Sequence, residues 1–157
     1  MSKTKTMTAG NVAAAADVNQ NFDELGMLAG GYAEVTANQG TFTADTDLTG
    51  LTVTVTISAA FAAAGRRIRI RGSVYLSSSV DKDAAFLKLK EGATQFSSAS
   101  AIVSSSSAGC RVTVEYYCVP TAGSHTYKLV GAREAGTGNI TMQAAASYPA
   151  FIIAEAV

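Results

Sequence analysis

Few side chains of this sequence are of the types that catalyse reactions, and none of them stands in a recognisable catalytic pattern. His125 is the only histidine, and a nucleophile–base pair would need a hydroxyl held against its ring and a carboxylate behind it. Ser124 precedes it directly, but no serine lies in a Gly-x-Ser-x-Gly turn. A glycan hydrolase would need two facing carboxylates roughly 5–9 Å apart, and acids here are scarce and fall in predicted turns. We therefore expect His125 to be a surface residue at a strand start, and the chain not to be an enzyme.

Two pairs of aspartates are candidate ligands for a cation. Asp45 and Asp47 flank a threonine, and Asp81 and Asp83 flank a lysine. Hard cations such as Ca²⁺ prefer clustered oxygens, but neither pair has the Asp-rich loop and distal Glu of an EF-hand. We expect two solvated turns and no bound metal, with a structural ion as the alternative.

The two cysteines and a short glycine motif offer no cofactor site. Cys110 and Cys118 lie on one predicted strand, where a rise of ~3.3 Å per residue separates them by about 26 Å. A disulfide needs Cα atoms within roughly 7 Å, so we expect two small buried apolar residues and neither a bridge nor a shared metal. The motif Gly136-Thr137-Gly138 lacks the third glycine and the following helix of a dinucleotide fingerprint, and it predicts a hairpin turn. The sequence therefore predicts no cofactor.

Arginine alternates with aliphatic residues at Arg67, Arg69 and Arg71. On a strand these side chains would line one face at intervals of ~7 Å. One interpretation is a solvated face that prevents edge pairing, and another is an inter-subunit face that pairs with acids such as Glu115 or Glu134. Nucleic acid binding would need a longer basic stripe, whereas the formal net charge is 0 from 12 basic and 12 acidic residues. We expect no nucleic-acid partner, and a neutral chain can self-associate without charge repulsion.

The elements that must carry these residues are β-strands. In the segment 51–58 every odd position is a large aliphatic residue and every even one a hydroxyl, which gives a strand one apolar and one polar face. No helical stretch is available to connect parallel strands. The sequence predicts an all-β fold, an antiparallel β-sandwich or jelly roll. Further strands are predicted at 32–37, 41–43, 66–77, 85–90, 95–103, 111–119, 125–133, 139–147 and 151–156, with 85–90 and 95–103 paired around Gly92.

One helix is predicted before these strands, between residues 11 and 26. Val18, Phe22 and Leu25 form an apolar stripe that is too short for a stable isolated helix. It must dock on its own domain, on a symmetry mate or on a larger partner. We expect residues 1–29 to form an arm with an anchoring helix, and residues 30–157 to form the β-domain. Neither a secretory signal nor a membrane-spanning run is evident, so we expect no membrane partner.

Two parts of the chain resemble virion proteins of tailed phages. The segment TAGNVAAAADVNQNFDEL, residues 8–25, resembles the short N-terminal helix of many phage fibre and virion-surface proteins, in which Ala-Asp-Val-Asn-x-Asn-Phe is the core. The segments GSHTYKL (123–129), EAGTG (134–138) and YPAFIIAE (148–155) resemble a β-domain common in phage structural proteins. The chain departs from that pattern at its last residues, which lack the usual acidic pair.

The resemblance implies a non-enzymatic virion component assembled in the host cytoplasm, often a homotrimer with a jelly-roll-like head. It carries over no catalytic residue and implies an anchoring or trimer-forming role for four helix positions, Val18, Asn19, Phe22 and Leu25. The absence of a long shaft favours a capsid decoration (cement) protein or head fibre bound to the major capsid protein. The alternative is a short tail fibre or receptor-binding tail protein, which would need aromatic loops for sugar binding, whereas these loops are mostly Ser, Ala and Gly and the chain has no Trp.

Overall fold

A computed structural model describes residues 31–103 and 109–157. The predicted arm and helix, with Val18, Asn19, Phe22 and Leu25, lie outside the described residues. No described helix is long and apolar enough to cross a membrane. The described residues form ten strands and one short helix: β1 (Gly31–Val35), β2 (Gln39–Phe42), β3 (Thr46–Ile57), α1 (Ala59–Ala63), β4 (Ile68–Ser78), β5 (Asp83–Glu91), β6 (Thr94–Val103), β7 (Cys110–Cys118), β8 (Gly123–Ala135), β9 (Ile140–Gln143) and β10 (Ala150–Ala156).

The strands pair in two antiparallel sheets. Sheet 1 has β4 at its centre, with β7 along one side and β9 and β10 end to end along the other. Strands β2 and β1 continue sheet 1 by pairing with β9 and β10. Sheet 2 has the order β3-β8-β5-β6. These pairings confirm the predicted all-β antiparallel sandwich.

The path of the chain between the sheets is that of a jelly roll. If β1–β2 and β9–β10 are each counted as one interrupted strand, sheet 1 has the order 1-8-3-6 and sheet 2 the order 2-7-4-5. Every connection then crosses from one sheet to the other except the β5–β6 hairpin, which is the pair predicted around Gly92. Two interlocked Greek keys of eight strands have this arrangement.

The core lies between the sheets and is built by alternation along each strand. In β3 the odd residues from Leu51 to Ile57 are buried and the threonines between them are exposed. Gly72 of β4 faces Leu129 of β8 across the core, so closely that a Cβ on Gly72 would lie 2.7 Å from Leu129 Cδ1. The two sheets are therefore closely packed at this point, with Gly72 of one sheet in contact with Leu129 of the other and no cavity between them.

Two predicted local structures differ from those observed. The apolar residues after β3 form α1, in which the Phe61 N–H donates to Ser58 Oγ at 3.1 Å and Phe61 itself is buried in the core. The predicted turn at residues 45–47 is largely strand, because β3 begins at Thr46 and carries an irregular register between Asp47 and Thr52. A Ser N-cap and a local bulge explain these differences.

The Gly136-Thr137-Gly138 segment is not a hairpin turn, because it leads from β8 in sheet 2 to β9 in sheet 1. Asp83 holds this crossing: its carboxylate accepts hydrogen bonds from Ser78 Oγ at 2.6 Å and from the Gly138 N–H at 2.8 Å. Asp83 is only 3% exposed, so the prediction of a solvated turn is wrong at this residue. The hydrogen bond from Ser78, with those from the turn, lowers the pKa of Asp83.

The cysteines occupy both ends of β7 on its inward side. Cys110 and Cys118 are free and half-buried, and both pack against the core. Burial raises the pKa of the Cys118 thiol. The single strand confirms the expectation that the two residues do not form a disulfide, and their partial burial agrees with an apolar packing role.

Candidate interaction surface

The arginines singled out in the sequence lie along the outward side of β4. Arg69 forms an ion pair with Glu155 of β10, with its Nε donating to Oε1 at 2.8 Å, and its Nη1 is 3.9 Å from Glu115 Oε2 on β7. The hydrogen bond to Glu155 raises the pKa of Arg69. Arg71 is exposed on the same side of the sheet, and Arg67 is exposed just before the strand.

The two acids that the sequence named as possible partners of the arginines lie in different sheets. Glu115 lies beside the arginines within the same chain, opposite Arg71 in the register of β4 and β7. Glu134 is at the end of β8, in the other sheet. Whether another subunit contacts the arginines stays a prediction.

Large apolar side chains share this outward side of sheet 1. We define the outer face of sheet 1 by its outward residues: Tyr32, Glu34, Arg69, Arg71, Ser73, Tyr75, Arg111, Thr113, Glu115, Tyr117, Phe151, Ile153 and Glu155. Among the described residues, most of the exposed large apolar side chains lie on this face or at its border. These are Tyr32, Tyr117, Val119, Tyr148 and Val157, at 39–58% exposure, while Val80 and Ile102 lie elsewhere.

Strand β10 explains how the outer face becomes apolar. Its inward residues are mostly small, Ala150 and Ala154 beside Ile152, whereas its outward residues begin with Phe151 and Ile153. A strand with one solvated face would show the opposite pattern. These outward residues were not predicted from the sequence, although the uninterrupted apolar run before Glu155 indicates a strand covered on both sides.

The centre of the outer face is a row across three strands. Tyr32 on β1 stands opposite Ile153 on β10, which stands opposite Arg71 on β4. The Tyr32 ring stacks on Phe151 at 6.4 Å between centroids, and its hydroxyl donates to Glu34 Oε2 at 2.5 Å. Arg71 forms no ion pair with any described residue.

One end of the face is held rigidly by Arg111. Its guanidinium lies 4.5 Å from the centroid of the Tyr75 ring and donates from Nη1 to Ser73 Oγ at 3.0 Å. Ser73 also shares a hydrogen bond with Thr113 at 3.0 Å, and Tyr148 packs edge-on against Tyr75 at 5.4 Å. Side chains fixed in this way lose little conformational entropy on binding a partner.

The outer face of sheet 2 is different in character. Its lysines are neutralised within the chain: Lys88 and Lys90 lie 2.6 and 2.5 Å from the carboxylate of Asp45, and Lys128 lies 2.7 Å from Asp47. The hydrogen bond from Lys88, followed by that from Lys90, lowers the pKa of Asp45. Asp45 and Asp47, which the sequence offered as calcium ligands, thus bind lysines instead. The rest of this face is rich in exposed hydroxyls, including Thr52, Thr54, Thr56, Ser124 and Thr126.

His125 lies at the predicted start of a strand, but it is largely buried and not freely exposed. Its side chain is 16% exposed, and Nδ1 lies 3.0 Å from Glu91 Oε1. Nε2 is nearer to the Thr121 carbonyl oxygen, at 3.0 Å, than to the Thr121 hydroxyl at 3.4 Å. A ring nitrogen that donates to a carbonyl has no lone pair with which to take a proton, so this geometry does not make His125 a general base for Thr121.

One cleft opens between the β1–β2 connection and the start of β3. It has a volume of about 590 Å³, and Asp47 is the only ionisable residue among the described residues that line it. The Gln39 side chain crosses to β3, where its amide oxygen accepts from the Thr49 N–H at 2.8 Å. Phe42 is buried and presents no ring for stacking on a sugar. Within the part of the chain that the structure describes, no three His, Cys, Asp or Glu side chains are grouped as metal ligands.

The chain was compared with known protein families, curated proteins and solved structures. No family model and no curated protein matches it. Its fold is similar to that of the Eiger TNF from S. frugiperda, with 12% identity over 82% of this chain and 91% of that chain, and a TM-score of 0.46. It is also similar to the CBM36-1 domain of a multidomain xylanase from the hindgut metagenome of Trinervitermes trinervoides, with 14% identity over 79% and 95% of the two chains and a TM-score of 0.39. A third similar structure is the infectious bursal disease virus VP2 subviral particle, with 11% identity over 82% and 37% and a TM-score of 0.39. Similarities this remote bear on neither function nor partners.

Proposed function

We propose that this chain is a non-enzymatic structural protein of a tailed-phage virion, a homotrimeric capsid decoration protein or head fibre bound to the capsid exterior. The observation that carries the proposal is the contrast between the two outer faces of the sandwich. Sheet 1 presents several aromatic side chains and arginines, whereas sheet 2 presents hydroxyls, lysine–aspartate ion pairs and a single exposed large apolar residue, Ile102. Such a domain suits a position with protein on one side and solvent on the other.

The composition of the outer face of sheet 1 favours a protein as its partner. Tyr, Phe and Arg are enriched in the centres of protein–protein interfaces. The face also carries Glu34, Glu115 and Glu155 among its arginines. Carboxylates at these positions would repel the phosphates of a nucleic acid, so nucleic-acid binding by this face is disfavoured.

The assignment to a phage virion is supported by the sequence. The segment 8–25 resembles the N-terminal helix of phage virion-surface proteins, and the C-terminal strands resemble a phage structural β-domain. In this proposal the helix residues that anchor the protein to the major capsid protein are Val18, Asn19, Phe22 and Leu25. Strand β1 begins at Gly31 on the outside edge of sheet 1, so the anchoring segment joins the domain beside its aromatic face.

Antibody labelling of the phage that encodes this chain tests the location. We expect label over the head; label at the tail tip would favour a short tail fibre or receptor-binding protein instead. Purified particles without label would overturn the virion assignment.

A substitution pair tests the anchor. Phe22→Ser in the full chain should abolish binding to particles that lack the protein, because it removes the largest side chain of the apolar stripe. Gln20→Ser, which lies on the opposite side of the predicted helix from the stripe, should bind as the unaltered chain does. Equal binding by both variants would contradict the anchoring role.

A further inference from the structure

We propose that the outer face of sheet 1 is the surface through which copies of this chain contact each other. The inference rests on the proposed function, from which it takes the homotrimer. It adds the surface through which the copies contact each other and the residues of that surface. The central contacts are those of Tyr32, Ile153 and Arg71. The predicted arginine face is thus only one part of a wider interface.

Two exposed tyrosines and two half-buried apolar residues lie on this face. Tyr32 is 55% exposed and Tyr117 47% exposed, at opposite sides of the same face. The half-buried Ile153 and Phe151 adjoin Tyr32, and the arginines of β4 lie between them and Tyr117. Exposed apolar side chains grouped on one face mark a contact site. The outer face of sheet 2 carries fewer of them, with Ile102 exposed on β6 and Phe86 half-buried on β5.

The charges identify the occupant as a second copy. The face carries both arginines and glutamates, so the same surface on another copy is complementary to it. Arg71 is exposed and without an ion pair among the described residues, while Glu34 and Glu115 are exposed acids on the same face. Where such faces meet around the axis of the proposed homotrimer, Arg71 of one copy lies against a carboxylate of the next. Opposite charges of this kind set the register and specificity of an interface.

Preorganisation makes this face suitable for association without rearrangement. The Tyr32 ring is already stacked on Phe151, and Arg111 is already fixed over Tyr75. Ordering mobile side chains at an interface is one of the main costs of binding, and at these positions the domain itself has already ordered them.

Sedimentation velocity of the full chain over a concentration series tests the inference with two matched pairs of variants. Arg71→Glu changes the charge by two units within the face, and Lys82→Glu makes the same change in the exposed β4–β5 turn. Ile153→Thr removes apolar surface from the face, and Ile102→Thr does so at a 74% exposed position of sheet 2. Thermal unfolding of each variant shows whether it is folded.

We expect Arg71→Glu and Ile153→Thr to weaken self-association by about tenfold or more, which corresponds to about 1.4 kcal/mol. Lys82→Glu and Ile102→Thr should associate as the unaltered chain does. Folded face variants that associate normally would overturn the inference while leaving the proposed virion role intact. A chain that is monomeric at all concentrations yet labels particles would do the same. An oligomer that depends on the face, in a chain that labels no particle, would support the inference and contradict the proposed function.

Discussion

Replacing Gly72 by alanine tests how closely the two sheets pack. A Cβ at this position would lie 2.7 Å from Leu129 Cδ1 and 3.0 Å from Leu129 Cγ, and both residues are buried. An inserted methyl group in a filled core costs about 1–3 kcal/mol. We expect Gly72→Ala to lower the free energy of unfolding by that amount, or the melting temperature by about 2–4 °C per kcal/mol in a protein of this size.

A double-mutant cycle with Leu129 measures the free energy of the contact between residues 72 and 129. Leu129→Ala alone should cost about 2–5 kcal/mol because it leaves a cavity at a fully buried site. In the double variant the new methyl group of residue 72 occupies part of that cavity. The double variant should therefore be more stable than the sum of the single losses predicts, by a coupling energy of about 1–2 kcal/mol.

Urea unfolding followed by far-UV circular dichroism is a suitable assay, because the chain has no Trp for fluorescence. Gly40→Ala is the matched control: a Cβ there meets no described atom within 4 Å, so its effect should stay within about 0.5 kcal/mol. If Gly72→Ala is as harmless as Gly40→Ala, or if the double-mutant cycle is additive, the sheets do not pack as described.

Three further predictions concern the crossing after β8 and the cysteines. The pKa of Asp83 is lowered in the folded state. The ionised carboxylate therefore stabilises the fold at any pH above the ordinary carboxyl pKa of about 3.9. This stabilisation is lost as the pH falls through the lower pKa of the folded state. The difference in urea midpoint between the unaltered chain and Asp83→Asn should thus be largest at neutral pH and shrink below about pH 4; a constant difference would refute this. Gly136→Ala should destabilise the chain more than Gly92→Ala. Both glycines have a positive φ, but only at Gly136 would a Cβ overlap the Asp83 carboxylate. Equal decreases in melting temperature would count against that geometry. Burial raises the pKa of the Cys118 thiol, so less thiolate is present at a given pH. Alkylation of Cys118 at pH 8, followed by peptide mass spectrometry, should therefore be slower in the native chain than in urea. Equal rates would contradict the burial.

The strands were predictable because their signal is local. Alternation of Val and Thr in β3, and the turn at Gly92 between β5 and β6, depend on neighbouring residues alone. The helix α1 was missed because five residues are too few for a periodic pattern, and its stability depends on burying Phe61 in the core. The hairpin predicted at 136–138 was wrong because the partner of β9 is β4, far away in the chain.

The outer face of sheet 1 was predicted only in part, because its side chains come from strands that are distant in the chain. The alternation of Arg67, Arg69 and Arg71 could be read directly, but the partners of Arg69 could not. Glu155 and Glu115 reach it from strands that follow it by many residues and pair with opposite sides of β4. The sequence placed His125 correctly at a strand start, but its burial against Glu91 depends on the packing of β5 beside β8.

The sequence by itself determined that this chain forms alternating strands, that it has a single histidine, and that its formal net charge is 0. Those properties follow from the two-residue period of a strand and from composition, which no folding can alter. Only the tertiary structure decided which strands are neighbours. That pairing placed Tyr32, Ile153 and Arg71 in one row and left Thr54 and its neighbours on the other side of the sandwich. The two unlike outer faces exist because side chains distant in the chain meet only when the jelly roll closes.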